Sequence, residues 1–220
     1  MVALAACGDT TTSPRETARN LTPTSSPAFD YSGGGSRQYG DQGSDFTVTS
    51  HGGTFSVNGL FTVNFPENSV CNPDRSTYGS TEWDKPCSTL RSNESIKVTA
   101  RLRLTSNGLT VDFSPELRFS PSTEVTISTD IFAPVITGNR AYFAANPSAL
   151  DFLAISFSPT LGGAQVADYA SDGSLITRVY LKSGSVRRRI KHFSGYMIGG
   201  GQPCEPSPDN PDCVAVFSDG

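Results

Sequence analysis

Ser95-Ile96-Lys97-Val98-Thr99-Ala100-Arg101-Leu102-Arg103-Leu104 decides the fold class. Ile96, Val98, Ala100, Leu102 and Leu104 fall on one face; Lys97, Thr99, Arg101 and Arg103 fall on the other. A period of two belongs to an antiparallel strand with one dry and one wet side. Asn107-Gly108 follows, a dipeptide that tolerates the positive φ of a tight hairpin turn. Leu109-Thr110-Val111-Asp112-Phe113 then returns with the same alternation. Outward from this hairpin, strands are expected at Glu124–Thr129, Phe152–Phe157, Leu175–Leu181 and Gly184–Ile198, the last two joined at Lys182-Ser183-Gly184. No segment has a convincing helical period. Short strands between turn clusters predict an all-β chain, an antiparallel, immunoglobulin-like β-sandwich. One local conflict arises at Val57-Asn58-Gly59-Leu60. A two-residue turn there would exchange the faces of Phe61, Val63 and Phe65, so a bulge, a longer loop or burial on both faces is expected.

The chain has 220 residues, of which 36% are hydrophobic and 17% charged, with 21 glycines, 15 prolines and a formal net charge of −4. The charge argues against nucleic acid as a partner, because phosphate binding needs concentrated Lys and Arg. No apolar run reaches the roughly 18–20 residues of a spanning helix, so membrane attachment would have to be covalent.

Five cysteines are present, at positions 7, 71, 87, 204 and 213. Cys71/Cys87 and Cys204/Cys213 form two local pairs flanked by Pro and Asp or Asn. Four cysteines allow three connectivities, and local pairing as Cys71–Cys87 and Cys204–Cys213 is the expectation for loop cysteines of an exported protein. A zinc site is the rival, but there is no Cys-x-x-Cys and no nearby His. Cys7 is the odd one. Leu4-Ala5-Ala6-Cys7 resembles a bacterial lipobox, which implies lipidation of Cys7 and a membrane partner through that anchor, in the extracytoplasmic cell envelope. Met1–Ala6 has no basic residue and is short for an apolar leader of about 7–15 residues. Either the chain starts inside a longer leader or the match is incidental; the cysteine count and the segment that follows favour the first. Residues 8–44 are Ser/Thr/Pro/Gly-rich and too poor in apolar side chains to offset their ordering entropy. They predict a disordered tether with an end-to-end distance on the order of 35 Å. The expected organisation is a leader remnant over 1–7, the tether over 8–44, the sandwich over 45–200 and a disulfide-closed tail over 201–220.

Gly52-Gly53-Thr54-Phe55 through Gly59-Leu60-Phe61-Thr62-Val63-Asn64-Phe65-Pro66 forms a glycine-led hairpin that ends in proline. Val111-Asp112-Phe113-Ser114-Pro115-Glu116-Leu117-Arg118-Phe119 is a proline-broken strand leading to Val125-Thr126-Ile127-Ser128. Together, over roughly residues 50–130, these resemble the ZU5 domain, a β-sandwich module of ankyrins, netrin receptors and some death-domain adaptors. The Cys71–Cys87 insertion, carrying Tyr78, Trp83 and Asp84, departs from that pattern. His192-Phe193-Ser194 adds an echo of the self-cleavage site of some ZU5-containing adaptors. The resemblance implies an N→O acyl shift in which Ser194 Oγ attacks the Phe193 carbonyl, His192 assists, and water hydrolyses the ester. Against this stands a plain strand: in Val186–Ile198 the even positions include His192, Ser194 and Tyr196, and an edge strand would place them there without chemistry; self-cleavage would also need strain in the Phe193–Ser194 bond.

No Gly-x-Ser-x-Gly elbow, phosphate loop or dinucleotide fingerprint occurs, and no metal or cofactor is expected. His51 lies in a Ser-His-Gly-Gly turn, as a surface histidine would. Asp209-Asn210-Pro211-Asp212 is short of the oxygen ligands of a calcium loop. Arg187-Arg188-Arg189-Ile190-Lys191-His192 alternates and predicts a solvated face, with an anionic lipid or polysaccharide patch as the lesser alternative. The expectation from sequence is therefore a non-catalytic interaction or structural module at the cell envelope. Tyr78 and Trp83, expected to be exposed, are its candidate contact surface for a protein or glycan, with Trp83 as a cap on the core the other reading. The alternatives are self-cleavage at Phe193–Ser194 and a carbohydrate-binding module.

Overall fold

The computed structural model describes residues 42–105, 108–158, 172–198 and 216–219. Its strands are β1 (Gln42–Thr49), β2 (Gly53–Val57), β3 (Phe61–Phe65), β4 (Ser95–Thr105), β5 (Gly108–Ser114), β6 (Thr126–Thr129), β7 (Ile155–Ser158), β8 (Thr177–Tyr180), β9 (Ser185–Arg189), β10 (Gly195–Ile198) and β11 (Val216–Asp219). They form a five-stranded sheet, β1-β4-β5-β10-β7, and a six-stranded sheet, β11-β8-β9-β6-β3-β2. All pairings are antiparallel except β11 with β8, which is parallel. The chain is an all-β sandwich. Cys7, Cys204, Cys213, residues 1–41 and the turn residue Asn107 lie outside the described residues.

The alternation in β4 works as its sequence requires. Val98, Ala100 and Leu102 are buried, while Lys97, Arg101 and Arg103 are exposed. β5 returns alongside it with Leu102 opposite Val111 and Ala100 opposite Phe113. The β2–β3 conflict resolves through a longer loop: Val57 pairs with Phe61, leaving three residues, Asn58 (φ 50°), Gly59 (φ 71°) and Leu60. Val57, Phe61, Val63 and Phe65 then all reach the core.

Four expectations are corrected. β1 begins at Gln42, so residues 42–44 belong to the sandwich and not to the tether. Residues 216–219, expected within a tail, add the parallel strand β11 beside β8. Among the described residues two short α-helices are present, α1 (Ala133–Gly138) and α2 (Arg140–Ala145), each only six residues long, too short to show a repeating apolar stripe. Each buries one residue fully, Ile136 and Phe143, and Val135 of α1 packs partly buried against the core. Finally, Gly184–Ile198 is not one strand. It is β9 in the six-stranded sheet and β10 in the five-stranded sheet, and residues 190–194 carry the chain from one sheet to the other. Corners of sandwiches arise where a strand switches sheets through a bend. Gly184, at the preceding β8–β9 turn, has φ 73°, and a Cβ there would lie 2.5 Å from Ala133 Cα. Only glycine fits both demands.

Candidate functional site

The crossing segment Ile190–Ser194 is tied at every step. Ile190 N–H donates to Val125 O at 2.9 Å, Phe119 N–H to Lys191 O at 2.8 Å, and Phe193 N–H to Leu117 O at 2.6 Å. The Phe193 side chain is fully buried and stacks on Phe113 with ring centroids 4.1 Å apart and planes 7° from parallel. Phe65 and Phe119 meet it edge-on at 5.6 and 5.0 Å. Such aromatic contacts add about 0.5–1.5 kcal/mol each beyond area burial, so the Phe193 carbonyl is held by a rigid anchor.

Three polar groups converge on that carbonyl and the residue after it. Ser194 Oγ lies 3.0 Å from His192 Nδ1. The Tyr78 hydroxyl donates to Phe193 O at 2.8 Å and lies 3.4 Å from His192 Nδ1. Burial, followed by the nearby Arg188 guanidinium, lowers the His192 pKa to about 3. The imidazole is therefore neutral near pH 7, and in the tautomer protonated on Nε2 its Nδ1 accepts from the Ser194 hydroxyl. Burial raises the Tyr78 phenol to about 12, with the Glu116 carboxylate adding to the shift. Tyr78 stays protonated and remains a donor. Tyr196 Oη donates to His192 O at 2.8 Å and fixes the backbone on the other side.

Tyr78 and Trp83 arrive on the loop closed by Cys71–Cys87, which is a disulfide as expected. The loop is fastened at both ends. At one, the Arg75 guanidinium grips Glu94 through Nη1 at 2.6 Å and Nη2 at 2.7 Å. At the other, the buried Arg118 donates to the carbonyls of Glu82, Lys85 and Pro86. Lys191, beside His192, pairs with Asp84 of the loop and with Asp172 at 2.8 Å. Trp83 consequently lies flat on the imidazole, 3.7 Å between centroids, and Phe157 closes an edge at 4.8 Å. The expected exposure of Tyr78 is thus corrected, and of the two readings of Trp83 the structure shows the one in which it packs against the core. Both rings are only partly exposed, and both face inward onto His192. Arg188 is corrected as well: it belongs not to a solvated face but to the core, 2% exposed, donating to Ile155 O over the Tyr196 ring.

Sequence reasoning brought out His192, Phe193 and Ser194 as a unit and Tyr78 as a separate feature; it missed that they form one site. The available signal was chemical. His192 and Ser194 occupy the apolar face of an alternating segment, where a polar side chain needs a partner from elsewhere, and the loop rich in Tyr and Trp supplies it. The chain matches no protein-family model, no curated protein and no solved structure.

Proposed function

We propose that this chain is a displayed β-sandwich that cuts its own backbone between Phe193 and Ser194. One observation carries the proposal: Ser194 Oγ rests on a neutral His192 while the Tyr78 hydroxyl already donates to the carbonyl that would be attacked. His192 Nδ1 takes the Ser194 hydroxyl proton as Oγ adds to the Phe193 carbonyl carbon. Tyr78 supports the developing oxyanion, a role worth about 10²–10³ in rate for one donor. The C–N bond then breaks, and the proton on Nδ1 passes to the Ser194 nitrogen. The product is a Phe193 ester on Ser194 Oγ with a free Ser194 amine. Water hydrolyses the ester to a Phe193 carboxylate and restores the serine hydroxyl.

The flat Trp83 and the Phe157 edge cover the imidazole and keep it neutral; the same depressed pKa makes it a weak proton acceptor, so the serine proton moves only as the bond from Oγ to the carbonyl carbon forms. β10 starts one residue after the scissile bond and lies between β5 and β7, so the C-terminal fragment remains hydrogen-bonded in the sheet after cleavage. The extracytoplasmic, lipid-anchored setting suggested by Leu4-Ala5-Ala6-Cys7 belongs to the same proposal, supported by the Cys71–Cys87 disulfide, since such bonds persist in oxidising compartments. The test is a denaturing gel with intact mass. Wild type is expected to give two fragments that separate only under denaturation, and Ser194→Ala a single chain. A single chain from wild type would instead favour the non-catalytic interaction module.

A further inference from the structure

The outer face of the six-stranded sheet carries a second polar constellation. Arg178, Tyr180, Arg187 and Arg189 point away from the core, while Val179, Val186 and Arg188 point into it. The β8–β9 register sets Arg178 directly opposite Arg187. Among the described residues neither guanidinium has a hydrogen-bond or ion-pair partner. Like charges placed directly across two strands are destabilising, so the pair is unexplained by the fold alone. Arg189 is pre-set beside it: Nη1 donates to Ser174 Oγ at 2.9 Å, and Nη2 to Pro121 O and Thr123 O at 3.3 and 3.4 Å. Its Nε is buried and has no acceptor. These groups line a groove of about 210 Å³ in which Glu124 is the one carboxylate among the described residues. Donors and positive charge there exceed acceptors, and an oxyanion ligand would correct both.

We propose that this groove binds a small phosphate monoester. The phosphoryl oxygens are taken between Arg178 and Arg187, whose planar forks suit a multiply charged oxyanion. Arg189, held by Ser174, Pro121 and Thr123, adds positive charge beside the pair, and the organic group lies against Tyr180. The groove runs past the arginine pair to Tyr180, which leaves room beside the phosphate for an organic group. The proposal is independent of the self-cleavage site.

Calorimetric titration of the full chain at about 0.15 M salt tests it, with glucose 6-phosphate, inorganic phosphate and glucose as probes. Saturable one-to-one binding of glucose 6-phosphate is expected, with weaker binding of inorganic phosphate and none of glucose. Arg187→Gln and Arg178→Gln each lower that affinity by about tenfold or more, while the ligand-free melting temperature holds or rises because the like-charge pair is gone. Tyr180→Ala weakens the sugar phosphate and leaves inorganic phosphate unchanged. Absence of saturable binding by either phosphate, wild-type affinity in both arginine variants, or binding confined to a long polyanion such as dextran sulfate would overturn the proposal.

Discussion

β4 and the stretch 184–198 alternate alike in sequence and behave differently in space. β4 runs unbroken over Ser95–Thr105 within one sheet, whereas 184–198 divides into β9 and β10 in different sheets. The difference lies on the dry side. In β4 that side is Ile96, Val98, Ala100 and Leu102, which ask only for apolar neighbours. In 184–198 it includes Arg188, His192 and Ser194, which need partners that a flat hydrophobic face does not offer. Arg188 finds Ile155 O on β7 of the opposite sheet; His192 and Ser194 find each other and Tyr78 at the bend. Alternation thus sets the face of a residue and leaves open the sheet to which it belongs. A polar residue on the dry face marks where the local rule yields to chemistry.

Substitutions at the bend should act on cleavage, and substitutions in β4 on stability alone. The largest effect is expected from His192→Ala, which removes the base and should slow cleavage by about 10²–10⁴, read from fragment yield over time. Tyr78→Phe keeps the ring and deletes the donor; a slowing of about 10²–10³ is expected, and an unchanged rate would detach Tyr78 from the carbonyl's chemistry. Removing the disulfide with Cys71→Ser and Cys87→Ser together should cost about 2–5 kcal/mol and slow cleavage several-fold, because the loop then positions Tyr78 less well. Val98→Ala in β4, a buried truncation of about 1–3 kcal/mol, should lower the melting temperature and leave the cleavage rate of the folded protein as it was.

Acidity separates the regions too. The folded-state pKa of His192 is about 3, against an ordinary value of 6.5. Cleavage should therefore be level from about pH 8 to 5 and fall only as pH approaches 3; a midpoint near 6.5 would contradict a buried base. The same depression has a stability sign. Between pH 6.5 and 3 the unfolded chain binds a proton that the folded ring refuses, so stability is greatest above 6.5 and declines as pH falls through that window. His192→Gln should lose this part of the acid sensitivity, which melting curves across pH will report.

Much of the fold was legible in the residues. Ile96–Leu104, Leu109–Phe113 and Val125–Ile127 carry period-two patterns strong enough to set strand and face. Cys71 and Cys87 read as a loop disulfide from spacing and flanking turn residues. The short helices were not legible because six residues give less than two turns of periodicity. The break at 190–194 was hidden because its alternation continues across the change of sheet. At the site, His192-Phe193-Ser194 was visible as a motif, but the contribution of Tyr78 depends on a contact spanning more than a hundred residues. Trp83 faces inward for the same reason: Arg118 and Lys191 hold its loop from distant positions, and no local pattern encodes that.

The central claim is that Ser194 Oγ, assisted by His192, displaces its own backbone nitrogen from the Phe193 carbonyl. Hydroxylamine trapping followed by intact mass tests it most directly, because hydroxylamine intercepts an ester and spares an amide. The prediction is accelerated splitting of wild type into a fragment ending in a Phe193 hydroxamate and a fragment beginning with a free Ser194 amine, with no product from Ser194→Ala. An intact wild-type mass after prolonged exposure, equal to that of Ser194→Ala, would contradict it.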